Sequence, residues 1–229
     1  VAMSNYDANT FSALDNGDDR GFAAKFQVNN AKKLREKNKL QLLTSFDYEY
    51  VQSKFKPLER LRTVEFSRDW GLALLVQPET ENIIRASAGL KNSKNQGITY
   101  RFTNYQRGDN YKGFQNAIVQ NTDWKGWQFN NEFVITSFSA LNDKGAFWRP
   151  TIDLSKQLKK MKNLRLGFRY AEERNSVMDK LTDTITPQAF SFGTYSVYLK
   201  TDEQKKNRYG ITFFTRTDKY AVGKDFVKG

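Results

Sequence analysis

The chain contains no cysteine, which excludes disulfide frameworks, thiolate metal sites and thiol nucleophiles. Histidine is absent as well, so no Ser-His-Asp triad, imidazole zinc site or imidazole general base can form within it. Proline is scarce, and no stretch approaches the roughly 18 consecutive apolar residues of a transmembrane helix. There is no phosphate-binding loop and no dinucleotide fingerprint. Carboxylate chemistry survives these exclusions, but pairs such as Glu172 and Glu173 have no visible partner groups. No enzyme activity and no cofactor are expected.

What is present is an aromatic load in a chain otherwise poor in hydrophobic residues. Hydrophobic residues make up 38 %, yet the 229 residues include Phe 18, Tyr 11 and Trp 4, which argues against disorder. These residues alternate with polar ones, the period of a strand with two unlike faces. In 39–51, Leu40, Leu42, Phe46, Tyr48 and Tyr50 oppose Lys39, Gln41, Ser45, Asp47 and Glu49, with Leu43 the exception. The same split recurs in Phe22–Val28, Trp127–Ile135, Leu164–Tyr170 and Tyr209–Phe213.

The whole chain yields about ten strands: 21–29, 39–51, 82–91, 97–107, 112–122, 127–139, 147–158, 163–171, 189–199 and 208–217. Most are far longer than the soluble average of about 5–6 residues and match the ~9–11 of a tilted bilayer-spanning strand. Short polar connections (31–37, 92–95, 123–126, 159–162, 201–207) alternate with a set that includes long ones (1–20, 52–81, 140–146, 172–188). Short turns on one rim and longer loops on the other characterise outer-membrane barrels. Segment 52–81 breaks the strand pattern. Leu58, Leu61 and Val64 have helical spacing, which leaves a short helix over the rim, a helix folded into the lumen, or a plain ordered loop.

The net charge is +12, and the short connections with their flanks carry about +11 of it, through lysines such as Lys32, Lys91, Lys125, Lys156 and Lys200. Basic turn tips separated from the aromatic stripe fit anionic headgroups better than nucleic acid. The expected partners are membrane lipid and lipopolysaccharide, and other outer-membrane or surface proteins. A second group of charges lies inside the strands, opposite the apolar stripe: Lys25, Asp47, Glu49, Arg85, Arg101, Glu132, Arg149, Asp153, Arg165, Arg169 and Arg216. In a barrel that face is the lumen. Asn116, Gln120 and Asn131 fall on the expected lipid face, through protein contacts there or a register offset by a bulge. Asp15, Asp18 and Asp19, beside Gly17, are a candidate site for a hard cation, though the closing Glu of a calcium loop is missing. Arg107-Gly108-Asp109 matches an adhesion tripeptide, and a Gly-Asp turn explains it equally.

Three segments carry a resemblance. Thr10–Asp19, Leu58–Trp70 (LERLRTVEFSRDW) and Leu166–Glu173 (LGFRYAEE) resemble segments of large outer-membrane β-barrel proteins of Bacteroidota, especially flavobacteria. The resemblance implies a bacterial outer-membrane location and a barrel longer than this chain, and it brings no catalytic residues.

The expected fold is therefore all-β: an antiparallel up-and-down transmembrane β-barrel, or a multi-strand segment of a larger one, forming a single region over 1–229. The ends, Val1-Ala2-Met3 and the stretch after Thr217, predict that 21–29 and 208–217 do not pair with each other. The expected function is a non-catalytic channel, transporter or component of a transport or secretion complex. The alternative is a soluble cationic antiparallel β protein binding a lipid, glycan or other anionic ligand.

Overall fold

A computed structural model describes residues 1–5, 20–35, 39–56, 63–72, 79–92, 94, 96–158, 161, 164–201 and 208–220. Eleven strands follow one another: β1 (Ala2–Asn5), β2 (Arg20–Arg35), β3 (Leu40–Val51), β4 (Glu81–Lys91), β5 (Gly97–Arg107), β6 (Tyr111–Trp124), β7 (Trp127–Ser139), β8 (Asp143–Gln157), β9 (Leu164–Asp179), β10 (Phe190–Thr201) and β11 (Gly210–Tyr220). One helix, α1 (Val64–Asp69), lies between β3 and β4. All the strands belong to one antiparallel sheet whose spatial order is the chain order. It is an up-and-down meander; among the described residues neither β1 nor β2 is hydrogen-bonded to β11, so the sheet is not closed.

The register fixes the faces. Asp47 stands opposite Gln27 and Arg85, and Arg85 opposite Thr103; Phe46 stands opposite Val28 and Ala86. Because side chains alternate, one such alignment assigns every residue of the ladder. Phe46, Tyr48, Phe129 and Phe168 share one face, called outer here. Asp47, Glu132 and Arg169 share the other, the inner face, onto which α1 packs. Asn116, Gln120 and Asn131 do lie on the outer face, with no register shift in their ladders. Each has a cross-strand partner: Tyr100 Oη donates to Asn116 Oδ1 at 2.5 Å, and Asn131 Nδ2 to Gln120 Oε1 at 2.9 Å. The one register shift falls in β2, between Lys33 and Arg35.

Three boundaries differ from the sequence expectation. β2 runs on to Arg35, where a short connection from 31 was expected, so Lys32, Lys33 and Arg35 stand in a paired strand and not at a turn tip. β8 starts at Asp143, not 147, and β9 runs on to Asp179, where a long loop from 172 was expected. Asp143–Trp148 pairs with Arg174–Asp179, so the ladder continues past the point where the apolar stripe stops. The stretch Glu172-Glu173-Arg174-Asn175 has no hydrophobic contrast between its faces, and backbone pairing alone makes it strand.

The connections split as expected into two ends. At one, Lys125 (φ 48) and Gly126 (φ 82) form a two-residue hairpin turn whose left-handed backbone suits the strand twist. At the other lie α1, the 108–110 turn, the 140–142 link and the 180–189 connection. At this second end Asp179 Oδ1 accepts hydrogen bonds from the Leu181 and Thr182 amides and the Thr182 hydroxyl at 2.9, 2.8 and 3.0 Å.

Those bonds, the Thr182 amide first, hold the Asp179 carboxyl below its ordinary range. A depressed folded-state value means stability that is full above the unfolded value of about 3.9 and is lost as pH falls through the folded one. Amide exchange at Thr182 should therefore accelerate selectively below about pH 4, and Asp179→Ala should make it fast at every pH. Protection of that amide unchanged in Asp179→Ala would rule the anchor out.

Candidate functional site

The inner face divides into two zones along the strands. Near the long-loop end it is aromatic. Trp70, Ile83, Tyr105, Tyr111, Phe138, Phe147 and Val177 form the buried cluster, with Phe66 and Leu72 packed against it. Neighbouring rings lie 5.2 to 6.1 Å apart, from Phe66 on Tyr105 to Phe66 on Trp70, within the range of favourable aromatic pairs.

The helix that brings Phe66 and Trp70 there is only six residues long, too short to persist alone. Thr63 caps it, its Oγ1 accepting from the Phe66 amide at 3.1 Å. Three contacts then fasten it to the sheet. Tyr111 Oη donates to the Trp70 carbonyl, Arg149 Nη1 donates to Asp69 Oδ1 at 2.9 Å, and the Trp70 indole lies over Gly113. A Cβ on Gly113 would come within 2.9 Å of that ring, and one on Gly145 within 2.3 Å of the Phe138 ring. Both glycines leave flat places on the strand where a ring is seated. Segment 52–81 holds this short helix, laid on the inner face at the long-loop end; Leu58 and Leu61, whose spacing suggested a helix, lie outside the described residues. A cavity of about 470 Å³ opens beside it, lined among others by Tyr111, Phe138, Phe147, Asn175 and Phe190.

Further along the strands the inner face is ionic. All eleven strand charges picked out from the sequence lie on it by register. Asp47 sits between Lys25 Nζ at 3.1 Å and Arg85 Nη1 at 2.5 Å, and Arg85 reaches Glu49 at 3.2 Å. Arg101 bonds Glu132 at 2.5 Å across the small Ala117 of β6. Arg149 spans Asp69 and Glu173, the latter at 3.1 Å. Arg165 lies 3.7 Å from Asp123. Asp153 accepts from Tyr198 Oη at 2.5 Å, the tyrosine ring passing over Gly167. Arg216 pairs with Asp218 of its own strand at 2.7 Å. Among the described residues Arg169 alone of the eleven has neither an ion pair nor a hydrogen bond from its side chain.

Arg169 apart, the ionic zone is thus a chain of compensated charges across β2 to β11, and among the described residues it holds no convergent pair of free carboxylates. Asp15, Asp18 and Asp19 lie outside the described residues; among those described, no cluster of three or more acidic side chains is arranged to hold a metal. The Arg107-Gly108-Asp109 turn is fixed locally, Gly108 taking φ 51 and its amide donating to the Thr80 carbonyl. No protein-family model matches the chain, and neither a curated protein nor a solved structure matches it at a significant level.

The outer face has the opposite character. Every strand from β2 to β11 carries at least one large apolar side chain exposed on it, among them Phe26, Phe46, Ile84, Ile98, Ile118, Ile135, Trp148, Phe168, Val197 and Phe213. Among the described residues no second layer covers this face.

Proposed function

We propose that this sheet is wall of a bacterial outer-membrane β-barrel, its ionic face toward the lumen and its apolar face toward lipid. In this reading it serves as a non-catalytic channel, transporter or component of a transport or secretion complex. The observation that carries the reading is the inverted distribution of polarity: apolar side chains uncovered on ten successive strands, ion pairs on the face that packs. In water such a surface far exceeds the few hundred Å² of apolar patch that a soluble monomer exposes. In a bilayer it is the required one, and turning the inner arginines and lysines to lipid instead would cost about 2–4 kcal/mol each at midplane.

The dimensions agree. Trp148 lies opposite Ile135, eight residues along β7 from Trp127, and both tryptophans face outward. That spacing is about 27 Å along a strand at ~3.4 Å per residue. At a tilt of about 40° it is about 20 Å across the membrane, close to the ~25 Å apolar band between aromatic girdles. Free strand edges cannot stand in hydrocarbon, because each unpaired backbone group costs several kcal/mol. The β2 and β11 edges therefore pair in the membrane, with each other or with further strands. The partners in this reading are membrane lipid, lipopolysaccharide, and other outer-membrane or surface proteins.

Because the chain lacks cysteine, single-cysteine labelling tests the faces directly. Phe46→Cys in proteoliposomes should react only with a membrane-partitioning maleimide, and Asp47→Cys mainly with a charged, water-borne one. Equal reaction of both positions with the charged reagent would point to the soluble cationic β protein, and detergent-free solubility of the purified chain would complete that case.

A further inference from the structure

We propose that the outer corner formed by the short-turn ends of β6, β7 and β8 is a binding site for the headgroup of a phospholipid with a net negative charge. The inference rests on the membrane reading above and goes beyond it, because it names one site, one headgroup chemistry and one leaflet.

Trp124 and Trp127 are a cross-strand pair that closes the Lys125–Gly126 turn, and both face outward. Lys125 Nζ lies 5.1 Å from the Trp124 ring centre. Lys156, opposite Trp127 in the ladder, places its Nζ 4.4 Å from that ring. Neither lysine has a carboxylate partner among the described residues; the adjacent Asp123 faces inward, toward Arg165. Two ammonium groups are thus held over indole rings with no carboxylate among the described residues to compensate them, an arrangement that attracts an anion to this corner.

Directly below, toward the middle of the strands, the same face continues as Phe129 paired with Leu154. A ligand that satisfies the whole corner has an anionic head and an acyl chain. Free inorganic phosphate would meet only the lysines and leave the apolar surface below them unused.

The orientation selects the source. Outer-membrane barrels place their short turns on the periplasmic side and their longer loops outside. The corner sits at the short-turn end, so it meets the inner, phospholipid leaflet. Lipopolysaccharide phosphates belong to the opposite rim.

The test uses the full-length native protein, with Trp148 and any tryptophan outside residues 1–229 changed to Phe, in vesicles containing brominated phosphatidylglycerol or brominated phosphatidylcholine at equal mole fraction. Trp70 is buried on the inner face, so quenching reports Trp124 and Trp127. Quenching should be at least about twofold stronger with phosphatidylglycerol, and the double variant Lys125→Gln/Lys156→Gln should bring the two lipids to parity. Equal quenching by both lipids before the lysines are changed, or a preference that survives the double variant, would overturn the proposal. Displacement of the preference by added lipopolysaccharide would overturn its assignment to phospholipid. No quenching by either lipid would instead remove the membrane reading itself.

Discussion

Trp70→Ala should release the short helix from the inner face and raise the conductance of the reconstituted protein. Trp70 is 3 % exposed and touches the Phe66, Tyr105 and Gly113 surfaces, so its truncation leaves an indole-sized void. Comparable truncations of buried tryptophan cost about 3–5 kcal/mol. The remaining tethers are one hydrogen bond to the Trp70 carbonyl, the Arg149–Asp69 pair, and the Phe66 and Leu72 contacts, which lose the indole they pack beside. A half-exposed ion pair contributes only about 1 kcal/mol or less, and a single hydrogen bond about 1. The sum does not hold a six-residue helix that has no stability of its own. The strands are untouched, since their ladders do not involve the helix.

The expected result is therefore local. Far-UV circular dichroism should stay the same, amides of 66–72 should lose exchange protection, and single-channel current in a planar bilayer should rise. Asp69→Asn should give a smaller change in the same direction. Exchange protection lost with no change in current would mean that α1 does not obstruct the path. Protection retained would mean that the cluster is held by other contacts.

Much of this arrangement was legible in the sequence, because strand faces are a matter of parity. Phe46 and Asp47 were assignable to opposite faces from 39–51 alone, and the ladder agrees. The same parity gathered the eleven strand charges onto one face without any knowledge of their partners. Their pairings were not legible. Arg85 with Asp47 is a register neighbour on the adjacent strand, but Arg101 reaches Glu132 two strands away, and only because Ala117 between them is small.

The seat of Trp70 was equally hidden, though a signal existed. Gly113 and Gly145 interrupt strands whose other inner positions carry side chains, and a glycine inside a strand marks a close approach by something else. The far half of β9 failed for a plainer reason. Beyond the apolar band both faces of Glu172–Ser176 are polar, so hydrophobic alternation carries no information there even though the pairing continues.

Phe168→Arg separates the membrane barrel from the soluble alternative by the sign of its effect. Phe168 lies on the outer face of β9, flanked by Leu154 and Val197 on the neighbouring strands and by Leu166 and Tyr170 on its own. Along β9 the outer face is apolar from Leu164 to Tyr170 and turns polar at Glu172, so Phe168 falls inside the band. If the face meets lipid, an arginine there should destabilise the folded protein by about 2–4 kcal/mol. Urea unfolding from lipid vesicles would read this as a lower midpoint at constant slope. If the face meets water, the exposed phenylalanine contributes little, and its replacement should change stability by no more than about 0.5 kcal/mol while improving solubility.

Arg169→Gln supplies the control, because it changes the charge of the next residue on the opposite face. Its side chain has no ion pair among the described residues, so both readings expect a small effect. A large loss at Phe168 with little change at Arg169 is what a bilayer imposes, since it discriminates between faces one residue apart. A small effect at both positions would leave the apolar stripe without lipid against it, and the soluble β protein would then be the better account of this chain.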